Sequence, residues 1–129
     1  LPKIYRDVHF TWAIDFYEEG QNSRWLLPNR LYESCLHGVV PIALSATETG
    51  RTLARRDIGI RVDAATPEAL LAALPLNEEG YAAERARVTA RPRSFWVCGP
   101  SECTALVARL AALPGEAPPK GRAMMEAAG

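Results

Sequence analysis

The sequence predicts an α/β domain of Rossmann-like, three-layer type built on a parallel sheet. Three observations lead there. Short apolar runs alternate with helical patterns in the order β-α-β-α-β-α-α-α. The connections between them are brief, which implies parallel strands joined by right-handed crossovers. One run, Val39-Val40-Pro41-Ile42-Ala43-Leu44, is apolar without a break, as befits a strand covered on both faces.

Residues 8–14, Val-His-Phe-Thr-Trp-Ala-Ile, combine β-branched and aromatic types and form the first expected strand. Residues 15–28 are a polar connection. Pro28 is expected in the first helical turn, where a missing N–H costs nothing. A short helix follows from Asn29 to His37, with Leu27, Leu31 and Cys35 spaced to share a face. Gly38 stands where a left-handed residue ends it. The 39–44 run is the second strand. Pro41 cannot donate to a central ladder, so it belongs to the strand's first residues or to a bulge. Residues 47–56 are helical with Thr47 or Thr49 as N-cap, and residues 58–62 form the third strand. Thr66-Pro67-Glu68 combines an N-cap, a proline at the first helical position and an acid in the first turn. That helix should stop before Pro75. Asn77 caps the next, residues 78–90. The last helix spans 101–113, with Cys103, Leu106, Val107, Leu110 and Leu113 on one side.

The expected organisation is a Rossmann-like domain over residues 1–113, incomplete at its N-terminus, and a flexible tail over 114–129 that is rich in Pro and Ala. The chain starts Leu1-Pro2-Lys3 without Met, and three strands leave a sheet edge open; both favour a fragment. Composition narrows the function. Fifteen basic and fifteen acidic residues sum to zero formal charge, against the basic excess of nucleic-acid binders. Three cysteines without a Cys-x-x-Cys fit a reducing compartment and offer no structural metal site, so no metal or other cofactor is expected. No apolar run reaches the ~18 residues of a membrane span. A cytoplasmic location follows, with the inner face of the membrane as the alternative.

Ligands of open parallel sheets bind beyond the carboxyl ends of the strands. There the distinctive segment is residues 22–33. A helix amino end offers free N–H groups to an anion. Arg30 in that first turn opposes the helix dipole unless an anionic ligand turns it into a charge-assisted donor. Glu33, one turn on, can accept from paired sugar hydroxyls. The alternative is a surface i, i+3 pair between Arg30 and Glu33.

Pro28-Asn29-Arg30-Leu31-Tyr32-Glu33, then four residues, then Gly38-Val39-Val40-Pro41-Ile42-Ala43, resembles the donor-binding segment of GT-B glycosyltransferases. The resemblance covers residues 4 to about 113 and makes the chain part of the C-terminal half of such an enzyme. It implies a nucleoside-diphosphate sugar donor, a saccharide or lipid-linked acceptor, and a separate N-terminal Rossmann domain that supplies the other wall of the cleft. It places Glu33 on the ribose and Arg30, the candidate catalytic residue, near the diphosphate, together with the amides from Asn29 to Leu31. Many retaining members carry a Glu eight residues earlier; Trp25 stands there instead, and Asn22, Ser23 and Asn29 are the candidates to replace it. No Asp-x-Asp occurs, so a metal-dependent mechanism has no support. The alternatives are a sugar-nucleotide epimerase of the same architecture and a non-catalytic nucleotide-binding module that works with a partner chain.

Other conspicuous residues have plainer readings. Trp12, Trp25 and Trp96 suit the core, Glu18 and Glu19 a solvated loop, and His37 the negative end of its helix. His9 reads as structural. Arg85, Arg87, Arg91 and Arg93 read as a solvated face, with peripheral contact to a membrane or to the missing domain as the alternative.

Overall fold

The computed structural model describes residues 2–15 and 22–113. Residues Glu18 and Glu19, and the expected tail, lie outside the described residues. The chain divides into two compact units, residues 1–97 and 98–129. The first is a Rossmann-like α/β unit, in which three parallel strands alternate with helices. Its order is α1 (Pro2–Arg6), β1 (Phe10–Trp12), α2 (Asn29–Leu36), β2 (Val40–Leu44), α3 (Glu48–Arg56), β3 (Ile60–Val62), α4 (Pro67–Ala73) and α5 (Glu78–Thr89). Single 3-10 turns at Asn22–Arg24 and Arg93–Phe95 complete it. Neither these nor α1 was expected, because one turn is too short to show a period.

The sheet order is β1-β2-β3, with Phe10 beside Val40 and Ile42 beside Ile60. The central strand β2 is covered on both faces, as its unbroken apolar run requires. Val40 and Ile42 pack with Ile14, Ile60 and Val62, against Leu70, Ala73 and Leu74 of the α4 segment. Ala43 packs on the other face with Leu31 and Cys35 of α2, Leu53 of α3 and Val88 of α5. Leu31, Leu53, Val40 and Val88 are wholly buried, each worth about 1.5–3 kcal/mol relative to an exposed side chain. Trp96 joins this core, whereas Trp25, expected there, is 70% exposed. Trp25 follows a polar 3-10 turn that carries it to the rim, beyond reach of the sheet.

Pro41 sits inside β2, and the ladder explains how. Val40 donates to the His9 carbonyl of the β1 side, at 3.1 Å, and Ser45 to Val62 of β3, at 2.8 Å. Donors alternate sides along a strand, so the missing N–H of Pro41 points to the β3 side, before the β3 pairing begins at Ile60. The residue it meets there is Gly59. Its φ of +68° is left-handed, and a Cβ on it would lie 2.5 Å from the Pro41 carbonyl oxygen. Pro41 and Gly59 are therefore a matched pair.

Local chemistry sets the helix ends. Thr47, Thr66 and Asn77 are N-caps that accept from the amides of Gly50, Ala69 and Gly80. Pro28 precedes α2 as its N-cap, with ψ of 143°, rather than lying in its first turn. An extended ψ cannot belong to a helical residue. Gly38, at φ +73°, ends α2 as expected.

In the second unit, α6 (Pro100–Ala111) begins where the Gly99 amide donates to Glu102. Cys103 was expected in a core; it is exposed, and its thiol lies 3.6 Å from that of Cys98. No helix is long and apolar enough to cross a membrane among the described residues.

Two outcomes test this packing. Gly59→Ala should cost about 2 kcal/mol or more, since it adds both left-handed strain and a backbone collision; an unchanged urea midpoint would contradict the contact with Pro41. Burial pushes the Cys35 thiol up to about 12 from 9.0. The folded value is the raised one, so this contribution to stability is fully present below pH 9 and is lost as pH climbs toward 12. At neutral pH a thiol reagent should label Cys98 and Cys103 quickly and Cys35 only on unfolding.

Candidate functional site

The carboxyl ends of β1 and β2 open onto a pocket of about 240 Å3. Its walls come from Ala13, Ile14 and Asp15 after β1, from Leu26, Leu27 and Pro28 before α2 and Asn29 at its start, and from Thr47 and Thr49 after β2. Two helix amino ends thus converge on one space, α2 from one side and α3 from the other. Each contributes unsatisfied N–H groups and the positive end of a dipole. The loop between them is tied down. Thr47 donates to the Leu44 carbonyl at 2.7 Å while its Oγ1 accepts from Gly50. Thr49 is buried and donates to the Leu26 carbonyl at 3.3 Å, joining the two helix starts across the pocket.

Among the sequence-derived candidates, Asn29 is exposed and lines this pocket. Arg30 stands at its edge. It donates through Nη2 to the Ile14 carbonyl at 3.1 Å and lies 3.8 Å from Asp15. Its Nε is buried and meets no acceptor among the described residues. The pairing expected as the plainer alternative, Arg30 with Glu33, does not form; Arg30 reaches back to the end of β1 instead. Leu31 is different. Its side chain is core, and its amide donates to the Pro28 carbonyl at 2.9 Å. The amides left to face a ligand are those of Asn29 and Arg30.

Glu33 is not on the pocket wall. Its Oε2 accepts from the Tyr5 hydroxyl at 3.1 Å. Burial, and then this bond to Glu33, pushes the Tyr5 phenol above its ordinary value. Tyr5 also stacks on His37, one turn beyond Glu33, with ring centroids 5.3 Å apart. Asn22 and Ser23 form the 3-10 turn before Trp25, and the Asn22 carbonyl accepts from the Trp25 and Leu26 amides at 3.0 Å. Trp25 itself carries the Arg51 guanidinium 5.9 Å from its ring centre.

The residues that sequence reasoning left out of the site are Asp15, Thr47 and Thr49. The threonines were legible as caps, but a cap motif does not say which cavity its helix faces. Next to them, Arg55 and then Arg51 hold the Glu48 carboxyl below its ordinary value. No cluster of His, Cys, Asp and Glu suited to a metal occurs among the described residues.

The chain is similar to the succinoglycan biosynthesis protein ExoL of Rhizobium meliloti (strain 1021), at 51% identity over 119 residues. The alignment covers 92% of this chain and 30% of that protein. No family model matches the chain, and no solved structure matches it.

Replacing Thr47 tests how the pocket is built. Thr47→Ala removes an N-cap worth about 1 kcal/mol and frees the 45–49 loop. Hydrogen exchange of the Gly50 amide should rise in parallel with the stability loss. A Gly50 amide as protected as in the parent would place its acceptor elsewhere.

Proposed function

We propose that this chain is the donor-binding part of a GT-B-type glycosyltransferase that acts in polysaccharide assembly. The observation that carries the reading is the pocket where α2 and α3 begin, with the Arg30 guanidinium held at its edge. The similarity to a protein named for succinoglycan biosynthesis supports the setting.

The pocket of about 240 Å3 is smaller than a complete small-molecule site, which usually spans roughly 300–1,000 Å3. It suits one portion of a ligand, the diphosphate and its adjoining sugar, with the remainder held by a second wall. The reaction moves a sugar from a nucleoside diphosphate to a hydroxyl of a saccharide or lipid-linked acceptor. Negative charge builds on the leaving diphosphate, and preorganised N–H groups lower that barrier without a metal. In this chain those groups are the Asn29 and Arg30 amides. The guanidinium of Arg30 adds a charge-assisted donor. Its hydrogen bond to the Ile14 carbonyl and its ion pair with Asp15 hold it at the rim. Asp15, beside it, is an acceptor suited to a sugar hydroxyl. Asn22 and Ser23, in the turn that leads to the pocket, complete the candidate sugar contacts.

Glu33 is the candidate ribose ligand. Tyr5 occupies one of its oxygens, so a ribose diol must take Oε1 or displace the phenol. That competition separates a binding role from a structural one. In the full-length protein, Glu33→Ala should weaken binding of the nucleotide-sugar donor by about 10-fold to 100-fold, the loss of a hydrogen bond to a charged group. Tyr5→Phe should leave donor affinity intact or raise it. If both variants lose affinity equally, Glu33 merely anchors Tyr5 and the ribose assignment fails. Arg30→Ala should lower kcat for sugar transfer, and an unchanged kcat would remove it from the chemistry.

A further inference from the structure

The opposite edge of the sheet, where the strands begin, holds a second concavity of about 660 Å3. Arg6, His9, His37, Arg85, Arg91 and Arg93 line it, and none of its wall residues is Asp or Glu. They come from every element that meets there: α1, the entries to β1 and β2, α5, and the turn after it. Within the described residues the ion pairs involve Arg30, Arg51, Arg55 and Arg87. Arg6, Arg85 and Arg93 therefore face the basin without an acidic partner among those residues. Arg91 is partly engaged, donating to the Arg56 carbonyl at 2.7 Å and lying 5.7 Å from the Phe95 ring centre.

Helix dipoles alone do not account for this cluster. The carboxyl ends of α2 and α5 meet the basin, and each carries about half a negative charge. Together they balance roughly one guanidinium of the four. Aromatic rings fix the imidazoles in the wall. Tyr5 stacks on His37, and the Tyr81 ring meets His9 edge-on at 4.7 Å. The floor is kept open by Gly38, where a Cβ would lie 2.9 Å from Thr89 and 3.6 Å from the Arg85 Nε.

We propose that this amino-edge basin is an anion site for a phosphate or diphosphate ester, distinct from the pocket at the carboxyl edge. Planar guanidinium groups bind phosphate oxygens in pairs. Several of them around one hollow match the many oxygens of a diphosphate, whereas a lone carboxylate satisfies only one. The volume lies in the range of a small-molecule site. The ester can come from a soluble molecule or from a lipid headgroup, and the chemistry recognised is the same.

The test is a titration of the full chain with inorganic pyrophosphate, followed by amide NMR. The Gly38, Arg85 and Thr89 resonances should move together, and the affinity should fall with added salt. Arg85→Glu and Arg93→Glu should each weaken binding by about 10-fold. Both residues are exposed, so the fold survives the change, as an unaltered amide spectrum at Leu53 and Val40 would show. Shifts confined to Asn29, Arg30 and Thr49, or an affinity indifferent to the two variants, overturns the basin. Vesicles of phosphatidylcholine with and without phosphatidylglycerol identify the source. Sedimentation with the anionic vesicles that pyrophosphate and Arg85→Glu both abolish assigns a lipid headgroup. Pyrophosphate binding without sedimentation assigns a soluble ester. Vesicle binding that neither pyrophosphate nor Arg85→Glu affects overturns the proposal.

Discussion

The double burial of β2 is the constraint on which the rest of the structure depends. A strand covered on both faces cannot turn a polar side chain to water, so Val40 through Ala43 are all apolar and all buried. Each face needs its own layer, and helices must lie on both sides. Its neighbours must run parallel, because the helices that cover it are also the connections between strands. Pro41 narrows the choice further. It removes one donor on the β3 side, which delays the start of β3 and puts Gly59 opposite. The short β3, the left-handed Gly59 and the packing of α3 through Leu53 against Ala43 all follow from one central run of six apolar residues.

Much of this was legible in the sequence because its signals are local. Cap residues at Thr47, Thr66 and Asn77, the terminating Gly38 and the unbroken 39–44 run each specify an element without reference to the others. Local signals fail where an element is one turn long, as in α1, or where tertiary placement decides. Trp25 illustrates the second case. Leu26 and Leu27 follow it, yet the polar 3-10 turn before it leaves it at the rim. Leu31 illustrates the same limit within the candidate site: the i, i+4 pattern put its side chain in the core, but the pattern does not show that its amide closes onto Pro28. Arg30 stood out because a cation in a first helical turn is locally unfavourable, and Asn29 because it could replace the carboxylate that Trp25 displaces. Asp15 and Thr49 were missed because their link to that turn spans sequence-distant segments.

Tyr5 shows how a short unforeseen element changes the reading of a foreseen one. The spacing of Glu33 from Arg30 invites a surface ion pair, but Arg30 is drawn to Ile14 and Asp15 while Glu33 is drawn to Tyr5. The two residues of the motif face different surroundings although they are three positions apart. A single turn ahead of β1 is enough to do this, because Tyr5 lies across both Glu33 and His37 on one face of α2.

Parallel topology also sorts charge. Every strand ends at one edge and every covering helix begins there, so the carboxyl edge collects helix amino ends and the amino edge collects helix carboxyl ends. The formal charge of zero is therefore a sum over unlike surfaces. At the carboxyl edge the backbone itself supplies the positive potential, and Arg30 beside Asp15 is the basic side chain held at the pocket's edge. At the amino edge the backbone supplies negative potential, and a few basic side chains would restore neutrality. The basin holds more guanidinium groups than its helix ends require. That excess of guanidinium groups is the feature on which the proposed anion site at the amino edge rests.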